Sequence, residues 1–176
     1  MNPTILVAGV GNIFLGDDAF GVEVARSLAK RNLPESALVR DFGIRGFDLA
    51  YSLLDPWDAA ILVDALPRGK APGTLYVVKP DLTSGASIAP DRAINPHGMD
   101  PVRVLNLAAS MGTIPELIFV VGCEPNDFGD ALEGRMGLSP PVQTAVEEAS
   151  NMVEELIGRI LVMRKPRPMQ LQTVER

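Results

Sequence analysis

The chain has 176 residues and a formal net charge of −6, and this length suits one domain. An acidic protein repels phosphate backbones, so the charge excludes nucleic acid as an expected partner. The sequence holds one cysteine, which excludes an internal disulfide and favours a reducing compartment. No stretch approaches the roughly 20 apolar residues of a membrane helix, and no basic signal-peptide start is present. We therefore expect a cytoplasmic protein with no membrane partner.

An apolar run at Ile5–Val10 comes first and is typical of a strand buried on both faces. A glycine-bearing loop at 11–16 follows it, and two acids, Asp17 and Asp18, come next. Acidic residues are stabilising at helix N-termini, because they cap free N–H groups and complement the helix dipole. We expect Asp17 to cap the next helix and Asp18 to lie in its first turn.

The rest of the chain predicts further strands alternating with helices. Short apolar runs bounded by turn residues indicate strands, and capping residues before an apolar period of 3.6 indicate helices. On these signals we expect strands at 37–42, 59–63, 74–78 and 117–121, and helices at 46–54, 100–110 and from 139 onward.

These elements predict an α/β fold, a three-layer α/β/α sandwich around a mainly parallel five-stranded sheet. Strand 74–78 is expected to run antiparallel, because only a few residues separate it from the preceding strand. A small basic cluster, which starts at Arg164, follows the last helix and is typical of a solvated tail. We predict one domain over residues 1–163 and a flexible C-terminal tail over 164–176.

Chemically active side chains follow three of the predicted strands. Asp18 lies beyond the first strand, Asp64 ends the third, and Cys123 follows the last. Ligands bind at this edge of open α/β sheets. A carboxylate near a core is costly without a partner, which favours a functional role for Asp64. Asp18 could instead serve only the helix terminus, and Cys123 could be a small buried hydrophobe, the interpretation that we favour for the cysteine.

The single histidine, His97, gains meaning in combination with these acids. Asp18, Asp64 and His97 could supply two oxygens and one nitrogen to a divalent ion such as nickel or zinc, with coordination positions left open. A nucleophilic pair of Cys123 and His97 is an alternative. A dinucleotide site is another, disfavoured because Phe14 stands at the third glycine position of the fingerprint.

Several segments, in order over about residues 4–160, resemble the maturation endopeptidases of nickel–iron hydrogenases. The opening motif runs from Gly9 to Gly21, and a strand-end aspartate and a loop histidine follow it. One departure is Phe42, where glycine is common in the family. The matching segments are Gly9–Gly21, Asp41–Gly43, Ile61–Ala65, Asn95–His97, Gly122–Pro125 and Gly137–Val142.

The resemblance implies an endopeptidase that removes a C-terminal extension from the hydrogenase large-subunit precursor after nickel insertion. It implies that Asp18, Asp64 and His97 bind the nickel held by the substrate, so that no permanently bound metal is required. For cleavage we hypothesise that a carboxylate, Asp18 or Asp64, activates water, with Asp41 as a helper. We expect a cytoplasmic monomer whose partner is that precursor. The alternative is a non-catalytic checkpoint protein that binds the metal or the precursor on the same fold.

Overall fold

The fold is given by a computed structural model, which describes residues 4–82, 100–129 and 132–163. Within these residues the strands are β1 (Ile5–Val10), β2 (Ala37–Gly43), β3 (Ala59–Ala65), β4 (Leu75–Val78) and β5 (Leu117–Cys123). The helices are α1 (Phe20–Leu28), α2 (Gly46–Ser52), α3 (Pro101–Met111) and α4 (Pro140–Met163). A short 3-10 helix, Gly16–Ala19, lies between β1 and α1.

The strands form one sheet in the order β2-β1-β3-β5-β4. β1 pairs in parallel with β2 and β3, and β3 pairs in parallel with β5, whereas β4 runs antiparallel to β5. The predicted mainly parallel sheet with one antiparallel strand is confirmed. The partner of β4 is nevertheless β5 and not β3, the strand that precedes it. The short link therefore carries the chain past the place that β5 later fills.

The burial of β1 shows how the sheet forms the middle of three layers. Ile5 and Val7 pack in one core with α1 and α4, whereas Leu6 and Ala8 pack in the other with α2 and α3. Successive side chains of a strand point to opposite faces, so a strand covered on both sides needs an unbroken apolar run. The α/β/α sandwich predicted from such runs is confirmed.

The start of α1 differs from the sequence prediction. Asp17 and Asp18 lie in the 3-10 helix, and α1 begins at Phe20 with no side-chain cap hydrogen bond. The prediction that Asp17 caps this helix is wrong, because its carboxylate accepts hydrogen bonds from the start of α4 and from the loop before it. A local pattern predicts α3 better, since Asp100 caps that helix by accepting the Val102 N–H.

Two predictions fall on residues outside the described ranges. His97 belongs to the segment 83–99, and the predicted tail begins at Arg164. The last described helix, α4, ends at Met163, so the division into domain and tail stays a prediction. None of the helices in the described ranges is long and apolar enough to cross a bilayer.

Candidate active site

Asp18 and Asp64 lie where the strand order of the sheet reverses. From β1 the chain forms β2 on one side and then β3 on the other, and ligands of open α/β sheets bind at such switch points. Asp18 follows β1 in the 3-10 helix, and Asp64 is the penultimate residue of β3. Both are buried, with 8% and 5% of their surfaces exposed. The fold thus brings together two of the site residues predicted from the sequence.

Asp64 is the less compensated of the two carboxylates. Within the described residues it accepts one hydrogen bond, of 2.8 Å, from the adjacent Ala65 N–H. Burial raises the pKa of Asp64 well above its usual range, and the nearby charges of Asp18 and Asp100 raise it further. A carboxyl group in this state holds its proton to a higher pH than an exposed one, and it can exchange that proton for a metal cation.

Asp18 has one donor of its own. Its Oδ2 accepts the Asn12 N–H at 2.8 Å, and the Asn12 Oδ1 accepts the Phe14 N–H at 3.0 Å. Burial raises the pKa of Asp18, and the hydrogen bond from Asn12 opposes part of that rise. Two buried carboxylates with so few donors repel each other when both are ionised, and a divalent cation between them would relieve that repulsion.

Two glycines allow the backbone that carries Asp18 to approach the end of β3. A Cβ at Gly11 would lie 1.7 Å from the backbone oxygen of Asp18. A Cβ at Gly21 would lie 2.0 Å from the backbone oxygen of Val63, the neighbour of Asp64. Neither gap admits a side chain, which is the physical reason for glycine at both positions of the opening motif.

Asp17 has a different environment from its neighbour Asp18. It is fully buried and accepts four hydrogen bonds, from the Ser139 N–H (2.6 Å), the Ser139 hydroxyl (2.8 Å), the Asn126 N–H (2.8 Å) and the Asp127 N–H (3.0 Å). Burial raises the pKa of Asp17, but these donors together outweigh it and hold the pKa below its usual value. Asp17 is therefore an ionised internal anchor that joins the 3-10 helix to the loop before α4.

Glu124 is a second anchored carboxylate, and the sequence analysis gave it no role. It is buried and accepts the Arg68 N–H (2.7 Å), the Gly69 N–H (3.0 Å) and the Tyr76 hydroxyl (2.7 Å). Burial raises the pKa of Glu124, and the Tyr76 hydroxyl with the backbone donors lowers it to below the usual value. The side chain thus fixes the link between β3 and β4. The sequence signal for Glu124 is an acidic residue directly after a buried strand, and the same pattern marks Asp64 at the end of β3.

Cys123 is buried at the end of β5, next to two acids. Burial and the charges of Asp17 and Glu124 raise the pKa of its thiol to about 12. The sulfur is therefore a protonated thiol at neutral pH, whereas a nucleophile needs the thiolate. These observations favour the small buried hydrophobe over the nucleophilic pair with His97.

Asp41 is not brought against the carboxylate pair. It lies near the end of β2, opposite Gly9 of β1, and β1 separates β2 from the strand that carries Asp64. Its exposed carboxylate accepts the Gly43 N–H at 2.9 Å, which closes a local turn. Its role as a catalytic helper stays a prediction.

The candidate metal ligands at the switch point form an incomplete coordination shell. Within the described ranges, no three His, Cys, Asp or Glu side chains form a group that could hold a metal ion. Asp18 and Asp64 offer carboxylate oxygens, and the predicted nitrogen ligand, His97, lies in segment 83–99. Two carboxylates leave most coordination positions to ligands from elsewhere, which suits an ion that a substrate carries.

The fold and the site together define a doubly wound α/β protein with a buried carboxylate pair at its switch point. A model of the hydrogenase maturation protease family matches residues 22–156. The chain is 32% identical to the hydrogenase 2 maturation protease of Escherichia coli (strain K12), over 85% of this chain and 87% of that protein. The chain therefore belongs to the hydrogenase maturation protease family, which its sequence motifs predicted.

Further relatives agree with this assignment. The chain is 33% identical to the coenzyme F420 hydrogenase subunit delta of Methanothermobacter thermautotrophicus, over 88% of this chain and 94% of that protein. The solved structure of the hydrogenase maturating endopeptidase HybD from E. coli matches with a TM-score of 0.74 and 29% identity, and the match covers 89% of this chain and 93% of that one. Membership of this family favours a protease over the dinucleotide-binding alternative.

Proposed function

We propose that this protein removes the C-terminal extension of a nickel–iron hydrogenase large-subunit precursor after nickel insertion. Asp18, Asp64 and His97 recognise the nickel that the precursor holds, so the ion arrives with the substrate. The proposed setting is the cytoplasm, a reducing compartment in which the free thiol of Cys123 is stable.

The observation that carries this proposal is the carboxylate pair at the switch point. Asp18 and Asp64 are buried, and each accepts one hydrogen bond within the described residues. Burial and the charge of Asp18 raise the pKa of Asp64, so the pair gains stabilisation when a cation enters. A pair of this kind binds an ion weakly alone and more tightly when the thiolates and other ligands of a precursor complete the coordination shell.

A carboxylate at this position is also a suitable general base. In the hydrolysis that we propose, Asp64 or Asp18 removes a proton from water as the water oxygen attacks the scissile carbonyl carbon. The C–N bond then breaks, and the leaving amine takes up a proton. Burial raises the pKa of Asp64, and a raised pKa makes the ionised carboxylate a stronger base than an exposed aspartate.

A second candidate function rests on the same carboxylates. A protein that only tests for nickel would bind the loaded precursor through Asp18 and Asp64 and leave its chain intact. The family membership favours cleavage, and the mass of the precursor separates the two functions.

The test is incubation of the purified protein with nickel-loaded and nickel-free precursor, followed by intact-mass measurement. We expect the loaded precursor alone to become shorter by a C-terminal segment, with many turnovers per protein molecule. An unshortened precursor that co-elutes with the protein would favour the checkpoint function. Equal trimming of both precursors would contradict nickel recognition.

Single substitutions assign the roles within the site. Asp64→Asn and Asp18→Asn should each abolish trimming. The trimming rate of Asp41→Asn tests whether Asp41 assists cleavage. An Asp64→Asn protein that trims at the wild-type rate would remove Asp64 from the mechanism.

A further inference from the structure

We infer that Asp17 is the positioning residue for Asp18, and that its anchor to the start of α4 sets where the Asp18 carboxylate lies relative to Asp64. The inference rests on the proposed function in treating Asp18 as a site residue. It assigns to Asp17 a task beyond the stability of the fold.

The first observation is that Asp17 and Asp18 lie next to each other in one tight turn but bind different parts of the protein. Asp17 accepts donors from Asn126, Asp127 and Ser139. Asp18 accepts the Asn12 N–H of the loop after β1. A 3-10 helix has about three residues per turn, so a rotation that freed the first carboxylate would also turn the second away from Asn12.

The second observation is that the backbone of the turn is fixed to the same loop as the Asp17 side chain. The Asp17 N–H donates to the Asp127 carbonyl at 3.0 Å, and the Gly16 N–H donates to the Arg135 carbonyl at 2.7 Å. The Arg135 N–H donates back to the Phe14 carbonyl at 2.7 Å. The segments 126–127 and 135–139 therefore hold the turn through both its backbone and the Asp17 side chain.

The third observation is the tight packing of the turn, and of the start of α1, against the ends of β1 and β3. A Cβ at Gly11 would lie 1.7 Å from the backbone oxygen of Asp18, and a Cβ at Gly21 would lie 2.0 Å from the backbone oxygen of Val63. The turn is thus held between the segments 126–127 and 135–139 and the ends of β1 and β3. Closely packed backbone transmits a displacement on one side to the other.

The chemistry of the anchor explains why an acid is required at Asp17. The Oδ2 atom accepts three of the four hydrogen bonds, and the Oδ1 atom accepts the fourth from the Ser139 N–H. In Asp17→Asn one acceptor becomes an NH₂ donor that must face a backbone N–H, because an amide has only one oxygen. The substitution keeps the volume of the side chain and breaks its anchor.

The Asn12 amide gives a direct readout of the Asp18 position, without precursor or metal. Its hydrogen bond to Asp18 protects it from solvent exchange, and NMR measures that protection in the full chain. We expect Asp17→Asn to lower the protection of Asn12 about tenfold relative to core amides, the effect of losing about one net hydrogen bond. Asp18→Ala, which removes the acceptor itself, should have the same effect. Processing of the nickel-loaded precursor by Asp17→Asn should fall about 100-fold, as expected for a misplaced site residue.

The matched control is Arg31→Met, which removes a different connection to α4. Arg31 binds Asn151, Glu147 and Glu154 at the far end of α1, so this variant loses stability without touching the turn. Its Asn12 protection relative to core amides and its processing rate should match wild type. Equal Asn12 protection in folded Asp17→Asn and in Arg31→Met would overturn the inference.

A milder variant covers the case in which Asp17→Asn does not fold. Ser139→Ala removes one of the four donors and should lower Asn12 protection about threefold, less than one full hydrogen bond; no change would overturn the inference. A wild-type protein that trims no precursor would refute the proposed function, while the Asn12 response would still test the positioning of Asp18.

Discussion

Two pairs of buried carboxylates lie at the carboxyl edge of the sheet, and they differ in how many donors surround them. The anchored pair, Asp17 and Glu124, accepts several hydrogen bonds per side chain, and both pKa values lie below the usual range. The open pair, Asp18 and Asp64, accepts one each within the described residues, and both pKa values are raised. All four side chains have little exposed surface, but the open pair is buried more deeply. Deep burial combined with few donors therefore separates the candidate catalytic acids from the structural ones.

The largest effect should come from the open pair. Asp64→Asn should lower processing by about 10³-fold if Asp64 is the general base. The same change should raise Tm by roughly 2–4 °C, the shift for about 1 kcal/mol in a chain of this size, because it removes a buried group whose ionisation is opposed by desolvation and by Asp18. Thermal unfolding at pH 7 and precursor mass measure both. A fall in Tm together with lost processing would show that Asp64 stabilises the fold.

The anchored pair should respond in the opposite direction. Glu124→Gln replaces one acceptor oxygen by a donor among the donors of Arg68, Gly69 and Tyr76. We expect the free energy of unfolding to fall by about 2 kcal/mol, the penalty for a buried donor left unsatisfied. Urea denaturation measures this loss. Unchanged stability would mean that the link between β3 and β4 does not depend on this carboxylate.

The two pairs should also differ in their pH dependence. The folded-state pKa values of Asp17 and Glu124 are lowered, so the stability that they contribute is present above the unfolded values near ~4 and is lost as pH falls through the folded values. For Asp64 the folded pKa is raised, so its contribution is most favourable at low pH and is lost as pH rises above ~4. Urea midpoints from pH 3 to 7 should therefore rise more steeply with pH in Asp64→Asn than in wild type. Parallel curves would contradict the assignment.

The smallest effect should come from a charged contact away from both pairs. Arg31 joins α1 to α4 through Glu147 and Glu154, and Glu147 is largely exposed. Solvent screens such contacts, so Arg31→Met should lower the free energy of unfolding by about 1 kcal/mol. Urea denaturation with and without about 0.5 M salt measures this loss of stability. A loss as large as that of Glu124→Gln would place this contact among the main stabilising features.

The sequence predicts the fold well where structure depends on local pattern. The apolar runs at β1, β3 and β5 mark strands covered on both faces, and their carboxyl ends must share one edge of a parallel sheet. That geometry predicts the meeting of Asp18 and Asp64. Local pattern fails for Asp17, whose partners are 109 to 122 residues away along the chain. Helix-terminus statistics cannot report so distant a donor.

The partner of β4 and the role of Glu124 escape the sequence for the same reason. Glu124 accepts backbone groups 55 and 56 residues earlier, and β4 pairs with a strand that the chain forms only later. The sequence predicts His97 as a ligand from its combination with the two acids and from the family motif, and because it lies outside the described ranges its role stays a prediction.

The deep burial of Cys123 has a practical consequence for labelling. Because the pKa of its thiol is raised to about 12, maleimide and iodoacetamide reagents should leave it untouched at neutral pH in the folded protein. A cysteine introduced at the exposed Met136 could then carry a fluorophore or a spin label while the native residue stays in place. Distances between such a probe and a labelled precursor would report the docked complex directly.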